Sequence, residues 1–96
     1  MYNLVIRPIA AQTARKAYEW YEEQQPGLGN LFLKELESSF SILEDKPGIY
    51  AKIKKNFRQK VLKKFPYVVV FEIINKDVIV YCIFHTSQNP RKKFIR

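Results

Sequence analysis

Residues 67–85 read YVVVFEIINKDVIVYCIFH, two apolar runs around a short polar break. The first run, YVVVFEII at 67–74, is apolar at odd and even positions alike. That pattern predicts a central strand covered on most of both faces. Asn75-Lys76-Asp77 predicts a hairpin loop, and VIVYCIFH at 78–85 the matching antiparallel strand. Just upstream, residues 57–65 alternate only roughly, which predicts a strand half exposed and heavily basic. If extended, it turns Arg58, Lys60, Leu62 and Lys64 to one side and Phe57, Gln59, Val61, Lys63 and Phe65 to the other. The second half of the chain is therefore expected to form a three-stranded antiparallel meander.

The first half carries a different period. Between residues 9 and 25, Ala10, Ala14, Ala17, Tyr18 and Tyr21 recur at three- and four-residue spacing, with Arg15, Lys16, Glu19, Glu22 and Glu23 on the opposite face. Between 28 and 44, Leu28, Phe32, Leu36, Phe40 and Leu43 form a second stripe with Leu31 beside it, while Lys34, Glu35, Glu37 and Ser38 face out. Pro26-Gly27-Leu28-Gly29 separates the two and Pro47-Gly48 ends the second. Two amphipathic helices so close in sequence fold back as an antiparallel helical hairpin. Residues 2–7 form a short opening strand stopped by Pro8. The expected fold is α+β, in the order β-α-α-β-β-β, with an N-terminal strand, a helical hairpin and a meander in a single domain over 1–96.

Ninety-six residues suffice for one core, and a hydrophobic fraction of 47% excludes global disorder. The apolar runs are far short of the ~20 residues of a membrane span, and Arg7-Pro8 ends the opening stretch too early for a secretory leader. Cys82 is the only cysteine and lies in an apolar run, so a buried thiol and a reducing cytoplasm are expected. One histidine and one cysteine cannot make a zinc site, and three glycines offer no phosphate-cradling loop. No metal and no cofactor are expected.

Charge is divided unevenly. Residues 1–51 carry five Lys/Arg against seven acids, and residues 52–96 carry twelve against two. A net +8 held in one half of a small protein attracts polyanions or a strongly acidic protein. Seven cations fall between Lys52 and Lys64, and Arg91, Lys92, Lys93 and Arg96 close the chain. The expected binding residues are Lys54, Lys55, Arg58, Lys60, Arg91, Lys92, Lys93 and Arg96. On the sheet face opposite the helices, Arg58 and Lys60 would hold phosphates, the arginine through its planar fork. The same lysines also suit an edge strand guarded against edge-to-edge pairing. His85, the sole histidine, stands where the last strand turns polar. There it suits a general acid/base near neutral pH, or a cap on the turn that follows. Tyr67 and Phe94 suit stacking on bases or packing in the core.

Several of these pieces together resemble the RelE/ParE superfamily of bacterial type II toxin–antitoxin toxins, the ParE-like branch in particular. They are the opening strand, Ala17-Tyr18-Glu19-Trp20-Tyr21-Glu22, Pro26-Gly27-Leu28-Gly29 with Phe32-Leu33 and Glu35-Leu36, Pro47 before Tyr50, Arg58, Phe65-Pro66-Tyr67 and His85…Asn89-Pro90. The resemblance implies a small basic cytoplasmic toxin wrapped and silenced by a cognate acidic antitoxin in a hetero-oligomer. RelE-like members cut mRNA on the ribosome with basic residues of the sheet and a C-terminal aromatic or histidine. Many ParE-like members instead inhibit DNA gyrase. Gln88 stands where the family's motif usually has arginine, and Phe94 where a nuclease-type tyrosine would help.

Three functions follow as expectations: a gyrase-inhibiting toxin; a ribosome-dependent mRNA endonuclease with Arg58 and His85 as catalytic residues; and a non-toxic basic module for nucleic acid or an acidic protein. Replacing Arg58 by alanine is expected to leave folding nearly intact.

Overall fold

Pro8 sits in the first turn of a helix, where its missing N–H would have had no partner in any case. It divides β1 (Asn3–Ile6) from α1 (Pro8–Gln24). The computed structural model describes residues 1–87. After α1, Gly27 takes φ 90, a left-handed conformation that costs glycine little, and caps α2 (Leu28–Asp45). The helices then meet at Gly29, where a Cβ would stand 2.6 Å from Glu22 Cγ and 2.7 Å from the Tyr18 carbonyl oxygen. Glu22 Oε1 accepts the N–H groups of Gly29 (2.8 Å) and Asn30 (3.3 Å). A carboxylate of one helix thus satisfies unmet donors in the first turn of the next and complements its dipole.

A single 3-10 turn (Pro47–Ile49) leads into β2 (Lys52–Lys54), β3 (Phe57–Val61), β4 (Tyr67–Ile74) and β5 (Asp77–His85). The five strands are ordered β1-β5-β4-β3-β2, with β1 parallel to β5 and the other neighbours antiparallel. The α+β architecture is as expected, and β3, β4 and β5 form the meander. β2 is an addition, paired through Lys52 with Arg58 and through Lys54 with Phe57. β3 ends at Val61 rather than reaching residue 65, because the chain turns. Leu62 donates its N–H to the Tyr67 carbonyl at 2.9 Å, and Glu35 of α2 accepts the N–H groups of both Lys63 and Lys64.

The helices cover one face of the sheet. Val69, Phe71, Val78, Val80 and Ile83 pack there against Ala10, Ala17, Phe32, Leu36 and Leu43. Tyr21, Phe32, Phe65 and Tyr67 form an aromatic knot in this core, with ring centroids 4.9 Å apart for Tyr21–Phe65 and 5.4 Å for Phe32–Tyr67. Tyr67 is thus a packing residue. The other face carries a smaller cluster of Phe57, Val68 and Val70 with Tyr81 and Cys82. Cys82 is only half-buried, short of the expected full burial, because it lies on this face, which the helices leave uncovered. Val70 pairs with Cys82 and Phe71 with Val80, so Tyr81 is the extra residue of a bulge.

Candidate interaction site

Directly opposed residues of neighbouring antiparallel strands share a face. Arg58 opposes Phe71 and Lys60 opposes Val69, both core residues under the helices. Arg58 and Lys60 therefore lie on the helix side, not on the opposite face. Arg58 Nη1 donates to the Tyr50 carbonyl oxygen at 2.5 Å. Lys60 is 9% exposed, and its Nζ stands 5.7 Å from the centroid of the Tyr50 ring. Burial pushes the Tyr50 phenol pKa up, so the ring faces the lysine as a neutral π-system. These cations fasten the segment that enters β2.

His85 lies elsewhere. It opposes Tyr67, four residues along β4 from the Phe71 that opposes Arg58, and on the far side of that strand. Strand geometry puts Arg58 and His85 roughly 15 Å apart between backbones. The His85 ring stacks edge-on with Tyr67 at 5.0 Å, and its Nδ1 accepts the Ser87 N–H at 3.0 Å. The histidine therefore caps the turn after β5. Lys16, Trp20 and Thr13 of α1 complete a surface depression of about 560 Å³ beside it.

The other cations between residues 52 and 64 fall into two groups. Lys52, Lys54 and Lys55 are exposed on β2 and its turn at the sheet margin. Lys60, Lys63 and Lys64 instead meet Lys34 of α2 around a groove of about 530 Å³. Leu31 and Ile42, 53% and 39% exposed, line the same groove. Arg91, Lys92, Lys93, Arg96, Gln88 and Phe94 lie outside the described residues. The groove was missed in the sequence, where Lys34 belongs to the solvent face of a helix. Its signal was Leu31, an apolar residue beside the core stripe with a lysine one turn on.

Among the described residues, no cluster of His, Cys, Asp and Glu has the makings of a metal site, and no helix is long and apolar enough to cross a membrane.

Comparison with known proteins gives the family and the fold. The family described as "ParE toxin of type II toxin-antitoxin system, parDE" matches residues 4–90. The chain belongs to that family, within the RelE/ParE superfamily of type II toxin–antitoxin toxins. No curated protein sequence matches it. Its fold is similar to a chain of the chromosomal ParDE toxin–antitoxin system of P. aeruginosa, with TM-score 0.79 and 16% identity over 91% of this chain and 98% of the other. It is also similar to the isolated E. coli RelE toxin, with TM-score 0.68 and 17% identity over 96% and 92% of the two chains.

Proposed function

We propose that this toxin acts by binding and inhibiting DNA gyrase, and that a cognate acidic antitoxin holds it silent in a toxin–antitoxin hetero-oligomer. The observation that carries the choice of target is the separation of Arg58 from His85. Attack of an RNA 2′-OH on its phosphate needs a cation at the developing charge and a proton carrier within hydrogen-bond reach of the same atoms. Arg58 is engaged by the Tyr50 carbonyl, and His85 stands at the other end of β4 with Nδ1 accepting from Ser87. Inhibition by binding needs neither proton transfer nor convergence of the two. The antitoxin follows from family membership and from the ParDE pair among the similar structures.

The test is gyrase supercoiling with the purified free toxin. Supercoiling should fall as toxin is added and recover when antitoxin is added. Unaffected supercoiling at high toxin, together with new mRNA 5′ ends by primer extension in induced cells, would transfer the assignment to the endonuclease.

A further inference from the structure

The two edges of the sheet are built differently. β2, at one edge, is three residues long, has an irregular register, and exposes Lys52, Lys54 and, in its turn, Lys55. Brevity, irregularity and lysines are the usual guards against pairing with a foreign strand. β1, at the other edge, reads Asn3-Leu4-Val5-Ile6 and carries no charge. Its Val5 and Ile6 are 45% and 38% exposed. Asn3 and Arg7 donate their N–H groups to the Lys76 and Val80 carbonyls, at 2.8 and 3.1 Å. Alternate residues of a strand turn these groups to opposite sides, so those of Leu4 and Ile6 point out of the sheet. No described residue pairs with that side of β1.

We propose that this edge is a homodimer interface, in which β1 pairs antiparallel with β1 of a second copy about a two-fold axis at Val5. The inference does not depend on the gyrase reading. Backbone groups fix the register. The Tyr2 N–H is already bonded to the Glu44 carbonyl at 2.8 Å, and Pro8 has no N–H. Leu4 and Ile6 remain, and pairing Leu4 with Ile6 of the second copy satisfies both, in four symmetric hydrogen bonds. A shift of two residues either way calls on Tyr2 or Pro8, whose donors are occupied or missing. Side chains agree with this register. Val5 pairs with Ile79 on the face the helices leave uncovered, and there it would meet Val5 of the second copy. Asn3 would oppose Arg7 of the second copy on the same face, where Arg7 now lies 5.3 Å from the Tyr81 ring centroid. Asn3 Nδ2 donates to Asp77 Oδ1 at 3.3 Å, so each Arg7 approaches the Asp77 carboxylate of the other copy. A strand of another protein would take the same backbone bonds, but this reciprocal exchange of charge selects a second copy. The lysines of β2 do not oppose it. They lie four strands away, roughly 19 Å, well beyond the ~8 Å over which physiological salt screens charge. Four hydrogen bonds and a few apolar side chains make a small interface, so a dissociation constant on the order of 10 μM is expected.

The test is sedimentation equilibrium of the purified full chain from about 1 to about 300 μM. Val5→Lys gives β1 the guard that β2 has. Ile6→Pro removes one outward donor per copy and spares the bonds to β5, which Ile6 does not make. Val61→Lys adds the same charge at an exposed position of β3. The unaltered chain should dimerise, Val5→Lys and Ile6→Pro should each weaken dimerisation at least about 10-fold, and Val61→Lys should change it less than about threefold. Register is read by cross-linking in a Cys82→Ala background. Cα atoms of a directly opposed, non-hydrogen-bonded pair stand about 4.5 Å apart, within disulfide range, so Val5→Cys should give a covalent dimer on mild oxidation. Asn3→Cys, which would face Arg7, should not. Circular dichroism checks folding, and if Ile6→Pro unfolds the chain, Val5→Lys and the cross-link decide. A chain that stays monomeric throughout, dimerisation untouched by Val5→Lys, or equal cross-linking at both cysteine positions overturns the interface. A monomer whose β1 edge gains hydrogen-exchange protection only from antitoxin assigns the edge to that partner instead. None of these outcomes bears on gyrase inhibition, which supercoiling reads separately.

Discussion

Arg58 Nη1 donates a 2.5 Å hydrogen bond to the Tyr50 carbonyl oxygen, tying the middle of β3 to the segment that precedes β2. A charged donor on a partly buried carbonyl is worth more than a neutral pair, since its removal leaves the acceptor without a protein partner. Arg58→Ala should therefore lower the unfolding free energy by about 1–3 kcal/mol. That departs from the near-neutral change expected of an exposed phosphate ligand. Urea denaturation is the check, with Arg58→Lys recovering part of the loss. A change below about 0.5 kcal/mol would mean that the bond is not maintained in solution. Loss of toxicity in Arg58→Ala becomes evidence about a target site only once this stability term is known.

The approach of α1 to α2 depends on Gly29. A methyl group there would press on the Tyr18 backbone as well as on the Glu22 side chain. The backbone oxygen cannot rotate away, so the helices must separate or shift. Gly29→Ala should cost about 1–3 kcal/mol, despite alanine's better helix propensity. Glu22→Ala removes the acceptor for two N–H groups of α2 and should cost roughly 1–2 kcal/mol. Thermal unfolding followed at 222 nm separates these values from zero. If Gly29→Ala were neutral or stabilising, the close helix contact would not hold.

The hairpin of β4 and β5 was legible because its residues are apolar at both parities, and the two helices because their stripes repeat at helical spacing. The facing of Arg58 and Lys60 was not. β4 is apolar on both sides, so it gave no indication of which parity of β3 faces the helices. β3 and its continuation also bury residues of both parities, Phe57 in one cluster and Leu62 in the other. β2 carries no apolar run and exists through its turn and its partner strand. The groove is likewise a product of folding. Lys34 and Lys63 are distant in the chain, and Glu35 bridges them by accepting the backbone N–H groups that follow Leu62.

Alkaline pH should unfold the protein through three half-buried phenols. Burial raises the pKa of Tyr21, Tyr50 and Tyr67, and for Tyr67 the nearby Tyr21 charge adds to the effect. A raised value means that the folded state binds the phenolic proton more tightly than the unfolded chain does. The resulting stability is fully present below the unfolded value of 10.0 and is lost as pH climbs through the folded values. Tyrosinate absorbance at 295 nm should therefore go on rising well above pH 10, and its last part should coincide with loss of far-ultraviolet circular dichroism. Tyr67→Phe should move the loss of circular dichroism to higher pH. A single smooth titration near pH 10 with the fold intact would contradict this account.

Lys55 occupies the left-handed region at φ 52, in the two-residue turn between β2 and β3, with no glycine at hand to take the strain. A side chain bearing Cβ costs about 1–2 kcal/mol there, and asparagine or glycine costs less. Because Lys55 is exposed, its replacement leaves core packing untouched. Lys55→Gly regains the strain but adds freedom to the unfolded chain, so its net gain should be at most about 1 kcal/mol. Lys55→Asn keeps the unfolded chain stiffer and should gain about as much. In a domain of this size, 1 kcal/mol corresponds to a rise of roughly 4–8 °C in Tm. Lys55→Ala should give no gain, since it keeps the Cβ. If all three variants melted at the same temperature as the parent, Lys55 would not be held in the left-handed region, and the β2–β3 turn would adopt another form in solution.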